Sequence, residues 1–244
     1  MLGIIGGSGS SRFAALQNTE EVLRSTAYGM PSSALVTGTL AGQPVVFLAR
    51  HGNPHCIAPH NINYRANLMA LQQAGVTQVV AVNAVGGIGQ PFVAGSICVP
   101  HQIIDYTWGR AHTYCDEAGE PLQHIDFTEP YSESLRQRLL EAAAASKLAV
   151  IDHAVHGVTQ GPRLETAAEI RRMQKDGCDI VGMTGMPEAA LARELGLDYA
   201  CLAVVVNPAA GLSAEPITMA AIEQVMAGSM QQVQTLLGAY CQQE

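Results

Sequence analysis

The sequence predicts an α/β fold, a single domain in which a mixed, twisted β-sheet is flanked by helices. Three observations predict it. Short, wholly apolar runs alternate with longer stretches of helical periodicity. Most of these runs are apolar at consecutive positions, as strands covered on both faces are. No stretch reads as a linker, repeat or low-complexity tract, so the 244 residues are taken as one unit, 1–244.

The expected strands are Leu2–Ile5, Val45–Leu48, Val79–Val82, Ile97–Val99, Ile180–Met183 and Cys201–Val206. Helices fit between them. From Asn61 to Ala74, Ile62, Ala66 and Met69 recur at helical spacing, and Gly75 ends the run. Thr166-Ala-Ala-Glu169 has the spacing of a capping box, in which hydroxyl and carboxylate each satisfy a free backbone donor. Pro187 opens a helix that runs to Gly196, and a long helical pattern extends from Pro216 to about Tyr240.

Composition excludes several classes. With 48% hydrophobic and 14% charged residues the chain is not disordered. A net charge of −8 argues against nucleic acid, whose phosphates require clustered Lys and Arg. There are two lysines, Lys147 and Lys175, and neither completes a Walker-type phosphate loop. Apolar runs such as Ala200–Val206 fall far short of the ~20 residues of a membrane helix, so no membrane association is expected. The N-terminus has no basic flank or secretory pattern, and the six cysteines are scattered without a Cys-x-x-Cys pair. Reduced thiols in a cytoplasmic protein are therefore expected.

Ligands of α/β sheets gather at the carboxyl ends of strands, so the segments following each strand carry the functional reading. Gly3-Ile-Ile-Gly-Gly-Ser8-Gly9 offers backbone donors and a hydroxyl to an anion. Arg12 stands where a dinucleotide loop would place its third glycine, and a tight turn reads equally well. Arg50-His51-Gly52 supplies a guanidinium, a natural two-pronged partner for phosphate. His51, His55 and His60 invite a zinc reading. Gly52 and Pro54 break any helix that would align them, so no metal is expected. Asn83-Ala84-Val85-Gly86-Gly87 ends a strand with two glycines and again promises free donors. Asp179–Glu188 and Cys201–Pro208 each run from a buried strand into polar groups. Asn207 there can present one donor and one acceptor to a ligand edge, or can simply be a turn residue before Pro208.

Together these segments resemble the purine nucleoside phosphorylase and methylthioadenosine phosphorylase family, trimeric class. The motifs are Gly-Ile-Ile-Gly-Gly-Ser-Gly (3–9), Arg-His-Gly (50–52), Asn-Tyr-Arg-Ala-Asn (63–67), Gly-Pro-Arg-Leu-Glu-Thr (161–166) and Gly-Met-Thr-Gly-Met-Pro-Glu (182–188). The resemblance implies a nucleoside phosphorylase-like fold and phosphorolysis of a purine nucleoside, with inorganic phosphate as co-substrate and no other cofactor. It places Ser8, Arg50, His51, Asn83, Ala84 and Thr184 around phosphate, Met183 against the ribose, and Leu164, Glu165 and Asn207 around the base. Asn207, Glu165 and His51 are the expected catalytic groups. The resemblance also implies a homotrimer, or a hexamer, in which a neighbouring subunit reaches the sugar end. His124 is the candidate for that contact, and a surface-loop histidine is the alternative.

Departures within the family bear on the substrate. Relatives acting on 6-aminopurines carry Asp at the Asn207 position, whereas those acting on 6-oxopurines carry Asn, with Glu at the Glu165 position. Glu165 accepts from N1–H of a 6-oxopurine, which adenine lacks, and a mismatched buried polar group costs about 1–3 kcal/mol. At the 5′ end Met219 stands where relatives that bind a 5′-hydroxyl carry His. A thioether suits a methylthio group, although a plain core residue at a helix start is the rival reading. Leu164 replaces a Phe that stacks near the base. The combination points to a 6-oxopurine nucleoside with a 5′-methylthio group. Phosphorolysis of methylthioadenosine, or of inosine and guanosine, is the alternative.

Overall fold

The computed structural model describes residues 1–7, 13–116 and 122–243. In chain order the strands are β1 (Leu2–Gly6), β2 (Gln17–Val22), β3 (Leu35–Leu40), β4 (Gln43–Ala49), β5 (Gln78–Gly87), β6 (Ile97–Cys98), β7 (Gln102–Asp105), β8 (Val150–Ile151), β9 (Val155–Val158), β10 (Ile180–Gly182) and β11 (Asp198–Pro208). The helices are α1 (Tyr64–Gln73), α2 (Glu133–Ala145), α3 (Ala167–Lys175), α4 (Gly185–Glu194) and α5 (Met219–Cys241). All eleven strands join one mixed sheet, confirming the expected class.

Its centre is parallel, with β4, β1, β5 and β11 side by side. Side chains of successive residues leave opposite faces of a strand. Both faces of the centre are apolar here: Val79 and Ala81 join one core with α1 and α4, while Val80 and Val82 join another with α2 and α5. Continuous apolar strands are thus explained by helices on both sides.

The helix signals act as expected, with shifted bounds. The Asn63 side chain accepts from Ala66 N–H, so α1 begins at Tyr64 rather than Asn61; a 3-10 turn occupies Pro59–Asn61. Thr166 and Glu169 form the reciprocal capping box of α3. Met186 is non-helical (φ −120°, ψ 139°), so regular turns of α4 start at Pro187. Thr218 caps α5, which therefore starts at Met219 and not near Pro216.

Two expected strand ends are corrected. β5 does not stop at Val82 but runs through Asn83 to Gly87, because β11 pairs with it along its whole length. The two glycines are therefore strand residues, not a donor-rich turn. At Gly87 a Cβ would lie 1.9 Å from the Phe92 carbonyl oxygen, so close backbone approach requires glycine there. β11 is longer than expected as well, reaching Pro208 through a bulge between Val205 and Asn207.

Candidate active site

The sheet itself opens the site. On one edge of β5, β1 pairs with Gln78–Ala81 and β10 pairs with Gly86 and Gly87. Between them, from Val82 to Val85, that edge has no strand partner among the described residues. β1 ends at Gly6, β4 ends at Ala49, and Thr184 follows β10, so three strand termini converge on this gap. A cavity of about 370 Å³ lies there. Its lining includes Gly7, Arg50, Ala84 and Thr184, the base-site candidates Leu164, Glu165 and Asn207, and the apolar Ile217, Met219 and Ile222.

Arg50 is the buried anchor. Its Nε donates to Glu188 Oε2 at 2.7 Å, and its Nη2 donates to Glu188 Oε1 at 3.0 Å and to Asn83 Oδ1 at 3.1 Å. Nη1 donates to Thr184 Oγ1 at 3.1 Å. Four of the five guanidinium hydrogens are thereby engaged. This corrects the sequence reading: the two-pronged partner of Arg50 is Glu188, and one Nη1 hydrogen remains for a ligand. Burial opposes the guanidinium charge, but the Glu188 carboxylate outweighs it and holds the proton far more firmly than usual. Tyr199 donates a third hydrogen bond to Glu188 at 2.8 Å.

Thr184 has a determined polarity. Its oxygen accepts from both Arg50 Nη1 and Asn83 Nδ2, each at 3.1 Å, which uses both lone pairs. The hydroxyl proton has no acceptor among the described residues, so it is available to an anion. Asn83 Nδ2 retains a second hydrogen.

His51 Nδ1 lies 2.8 Å from the Ile57 carbonyl, which only accepts; Nδ1 therefore carries the proton and Nε2 the lone pair. Burial, reinforced by the Arg50 charge, lowers its pKa to about 4, so it is neutral near pH 7. Its ring stacks on His55 at 4.4 Å. His55 lines the cavity but His60 does not, and no group of three His, Cys, Asp or Glu among the described residues is placed to hold a metal.

The remaining predicted residues divide clearly. Glu165 Oε1 accepts from the Thr159 hydroxyl at 2.6 Å, which orients the carboxylate. Asn207 Nδ2 donates to Pro208 O at 2.6 Å, which leaves its second hydrogen and Oδ1 for a ligand. Met183 and Leu164 line the cavity, Leu164 being 42% exposed. Met219 stands at the rim, 62% exposed, as the first residue of α5. His124 is exposed and does not line the cavity of its own chain. Ser8 lies outside the described residues.

Sequence reasoning gave no role to Glu188, Tyr199, Thr159 or Arg110. A signal existed for Glu188: it is the lone charge in Gly185-Met-Pro-Glu-Ala-Ala-Leu-Ala192, an otherwise apolar helix start.

The comparisons with known proteins agree with this geometry. The model of the phosphorylase superfamily matches residues 1–242. A protein of Pseudomonas syringae pv. tomato named "Probable S-methyl-5'-thioinosine phosphorylase" is 56% identical over 234 residues, covering 96% of this chain and 95% of its own. The 6-oxopurine nucleoside phosphorylase of Pyrococcus furiosus is 42% identical over 230 residues, covering 92% and 86%. Among solved structures, methylthioadenosine phosphorylase from Schistosoma mansoni in complex with adenine superposes with a TM-score of 0.94 at 32% identity, covering 99% of this chain and 91% of that one. No helix among the described residues is long and apolar enough to cross a membrane.

Proposed function

We propose, for a chain that belongs to the phosphorylase superfamily, the phosphorolysis of S-methyl-5′-thioinosine. Phosphate forms a bond to C1′ as the C1′–N9 bond breaks, giving hypoxanthine and 5-methylthioribose 1-phosphate. The observation that carries this reading is that one cavity is lined by three kinds of group: anion donors, the amide of Asn207 with the carboxylate of Glu165, and the apolar Ile217, Met219 and Ile222. The relative from Pseudomonas syringae, at 56% identity, supports the choice of substrate.

Arg50 Nη1, the Thr184 hydroxyl and Asn83 Nδ2 donate to phosphate, with Ala84 beside them; Ser8 is a further phosphate-binding residue that the resemblance implies. His51, neutral with Nε2 as acceptor, takes a hydrogen bond from the protonated oxygen of monohydrogen phosphate. As the glycosidic bond lengthens, positive charge grows on the sugar and the preorganised phosphate stabilises it. Met183 packs the ribose and Leu164 the base. Glu165 accepts from N1–H, while Asn207 donates to O6 and accepts from N7–H, so the base leaves as a neutral purine once N7 is protonated from solvent. Ile217, Met219 and Ile222 receive the methylthio group. Phosphate is a co-substrate, and no cofactor enters.

A second reading, phosphorolysis of 6-oxopurine nucleosides with a 5′-hydroxyl, is favoured by one observation: Met219 is at an exposed rim, where water can reach the 5′ end. The values of kcat/KM for methylthioinosine, methylthioadenosine, inosine and adenosine decide between them. A preference for inosine over methylthioinosine would overturn the methylthio reading. The working form is read as a cytoplasmic homotrimer, with His124 of one copy closing the sugar end of the next. A monomer by sedimentation, fully active at the same concentration, would remove that part.

A further inference from the structure

Arg110 lies in the loop after β7 and is only 8% exposed, yet it meets no carboxylate among its hydrogen-bond partners. Its fork instead joins two loops. Nη1 donates to Met183 O at 2.9 Å and Met186 O at 2.5 Å, the carbonyls on either side of Thr184. Nη2 donates to Thr159 O at 3.2 Å and Gln160 O at 2.8 Å. The planar cation lies over the Tyr64 ring, 5.7 Å from its centroid, which fixes its plane. A buried charge held by oriented carbonyls rather than by an ion is demanding to place, because each partner must be present for the burial to be tolerated.

Each loop it grips ends in a group the reaction uses. The Thr159 hydroxyl orients Glu165, and the 183–186 turn presents Met183 and Thr184. The loops also touch directly: at Gly161 (φ +59°) a Cβ would lie 2.6 Å from Met183 Sδ, so a larger residue there would be strained and would push the Met183 side chain aside.

We propose that Arg110 is a positioning residue that sets the base-reading loop 159–165 against the ribose and phosphate turn 183–186, so that 6-oxopurine selection depends on a side chain that touches no substrate. This rests on the function proposed above. A lysine keeps the charge but gathers its donors on one nitrogen, and so does not reproduce the planar two-nitrogen fork that serves carbonyls from two loops. In R110K the kcat/KM for methylthioinosine is expected to fall about 10- to 100-fold. Its ratio to methylthioadenosine should narrow by at least about tenfold, because Glu165 is no longer held where it meets N1–H. T159V removes the hydroxyl from Glu165 while keeping the carbonyl for Arg110, and should narrow the same ratio. The double variant should narrow it no further than R110K does, since both changes act through one contact.

Amide hydrogen exchange of the unliganded protein supplies a readout independent of activity. R110K should raise exchange in 159–165 and 183–186 together while α5 and β11 keep their protection. Equal losses on both nucleosides, with exchange in the two loops unchanged, would overturn the proposal. A wild-type protein that releases no base from any purine nucleoside in phosphate would instead overturn the functional reading. The exchange comparison would then decide the structural role of Arg110 alone.

Discussion

Glu188 takes the two-pronged edge of Arg50, with Oε2 accepting from Nε at 2.7 Å and Oε1 from Nη2 at 3.0 Å, and neither side chain is more than 1% exposed. The pair therefore places a guanidinium at the floor of the cavity with its charge already compensated. What is left for a ligand is one Nη1 hydrogen, the second Asn83 Nδ2 hydrogen and the hydroxyl of Thr184, whose lone pairs Arg50 and Asn83 occupy.

Glu188→Gln removes the carboxylate charge at constant volume. Breaking one side of a buried pair costs about 3–5 kcal/mol, which for a chain of this size lowers the melting temperature by roughly 10 °C. A phosphate dianion bound beside Arg50 restores a counter-charge. Phosphate should accordingly raise the melting temperature of the variant more than that of the wild type. Equal phosphate-induced shifts in the two proteins would show that the anion does not sense Arg50.

His156 is wholly buried in β9, with Nδ1 3.1 Å from the Tyr131 hydroxyl and Nε2 without a partner among the described residues. Burial, with Arg50 adding to it, lowers its pKa to about 4, whereas an unfolded histidine titrates near 6.5. Between those values the unfolded chain binds a proton that the folded chain refuses. Stability from this group is complete above about pH 6.5 and is lost as pH falls toward 4. By pH 4.5 the loss is about 2–3 kcal/mol, at roughly 1.4 kcal/mol per unit. Urea unfolding of His156→Gln should thus show a weaker decline from pH 7 to 4.5 than the wild type. Parallel declines would mean that other groups account for the acid sensitivity.

How much of this was legible in the sequence depends on what each signal reports. Val79–Val82 and Cys201–Val206 are apolar because helices cover both faces, and that cause is local enough to read from composition. Gln17–Val22 is an exposed edge strand of polar residues, and His156 and Gly157 interrupt β9, so neither carries an apolar pattern. The extension of β5 past Asn83 is dictated by β11, more than a hundred residues away. The residues singled out in the sequence, Arg50, His51, Ala84, Met183, Thr184, Leu164, Glu165, Asn207 and Met219, all line one cavity. The motifs could not reveal that Arg50 turns its fork inward, since its partner Glu188 lies 138 positions along the chain.

Met219→His tests the apolar end. Met219 sits beside Ile217 and Ile222 at the cavity rim, and an imidazole there adds a donor for a 5′-hydroxyl while removing apolar surface. Discrimination by one methylene-sized group is about 1–3 kcal/mol. The ratio of kcat/KM for methylthioinosine to that for inosine should therefore drop roughly tenfold or more. Because Met219 is already 62% exposed, the fold should tolerate the change with little effect on melting. A ratio that does not move would assign the 5′ contact to Ile217 and Ile222 alone.

Asn207 offers the sharpest test of base recognition. It closes β11 just after the bulge, opposite Gly86, with one amide hydrogen on Pro208 O. Its other hydrogen and Oδ1 are left to a purine edge, donating to O6 and accepting from N7–H. Electron density grows on the base as the glycosidic bond breaks, so donation to O6 strengthens toward the transition state, and N7 takes up the proton whose hydrogen bond Oδ1 accepts. Loss of these contacts should lower kcat and kcat/KM together. Asn207→Asp keeps the shape and removes the donor. An ionised Asp repels O6 and accepts from a 6-amino group, so methylthioinosine activity should fall about 100-fold or more while methylthioadenosine activity rises. The rise should be partial, because Glu165, held by Thr159 at 2.6 Å, still meets adenine N1 where no hydrogen is present. Adding Glu165→Gln to Asn207→Asp replaces that carboxylate with an amide that can donate to N1, and should raise methylthioadenosine turnover further. Comparable wild-type kcat/KM for the two nucleosides would remove Asn207 as the group that selects the base.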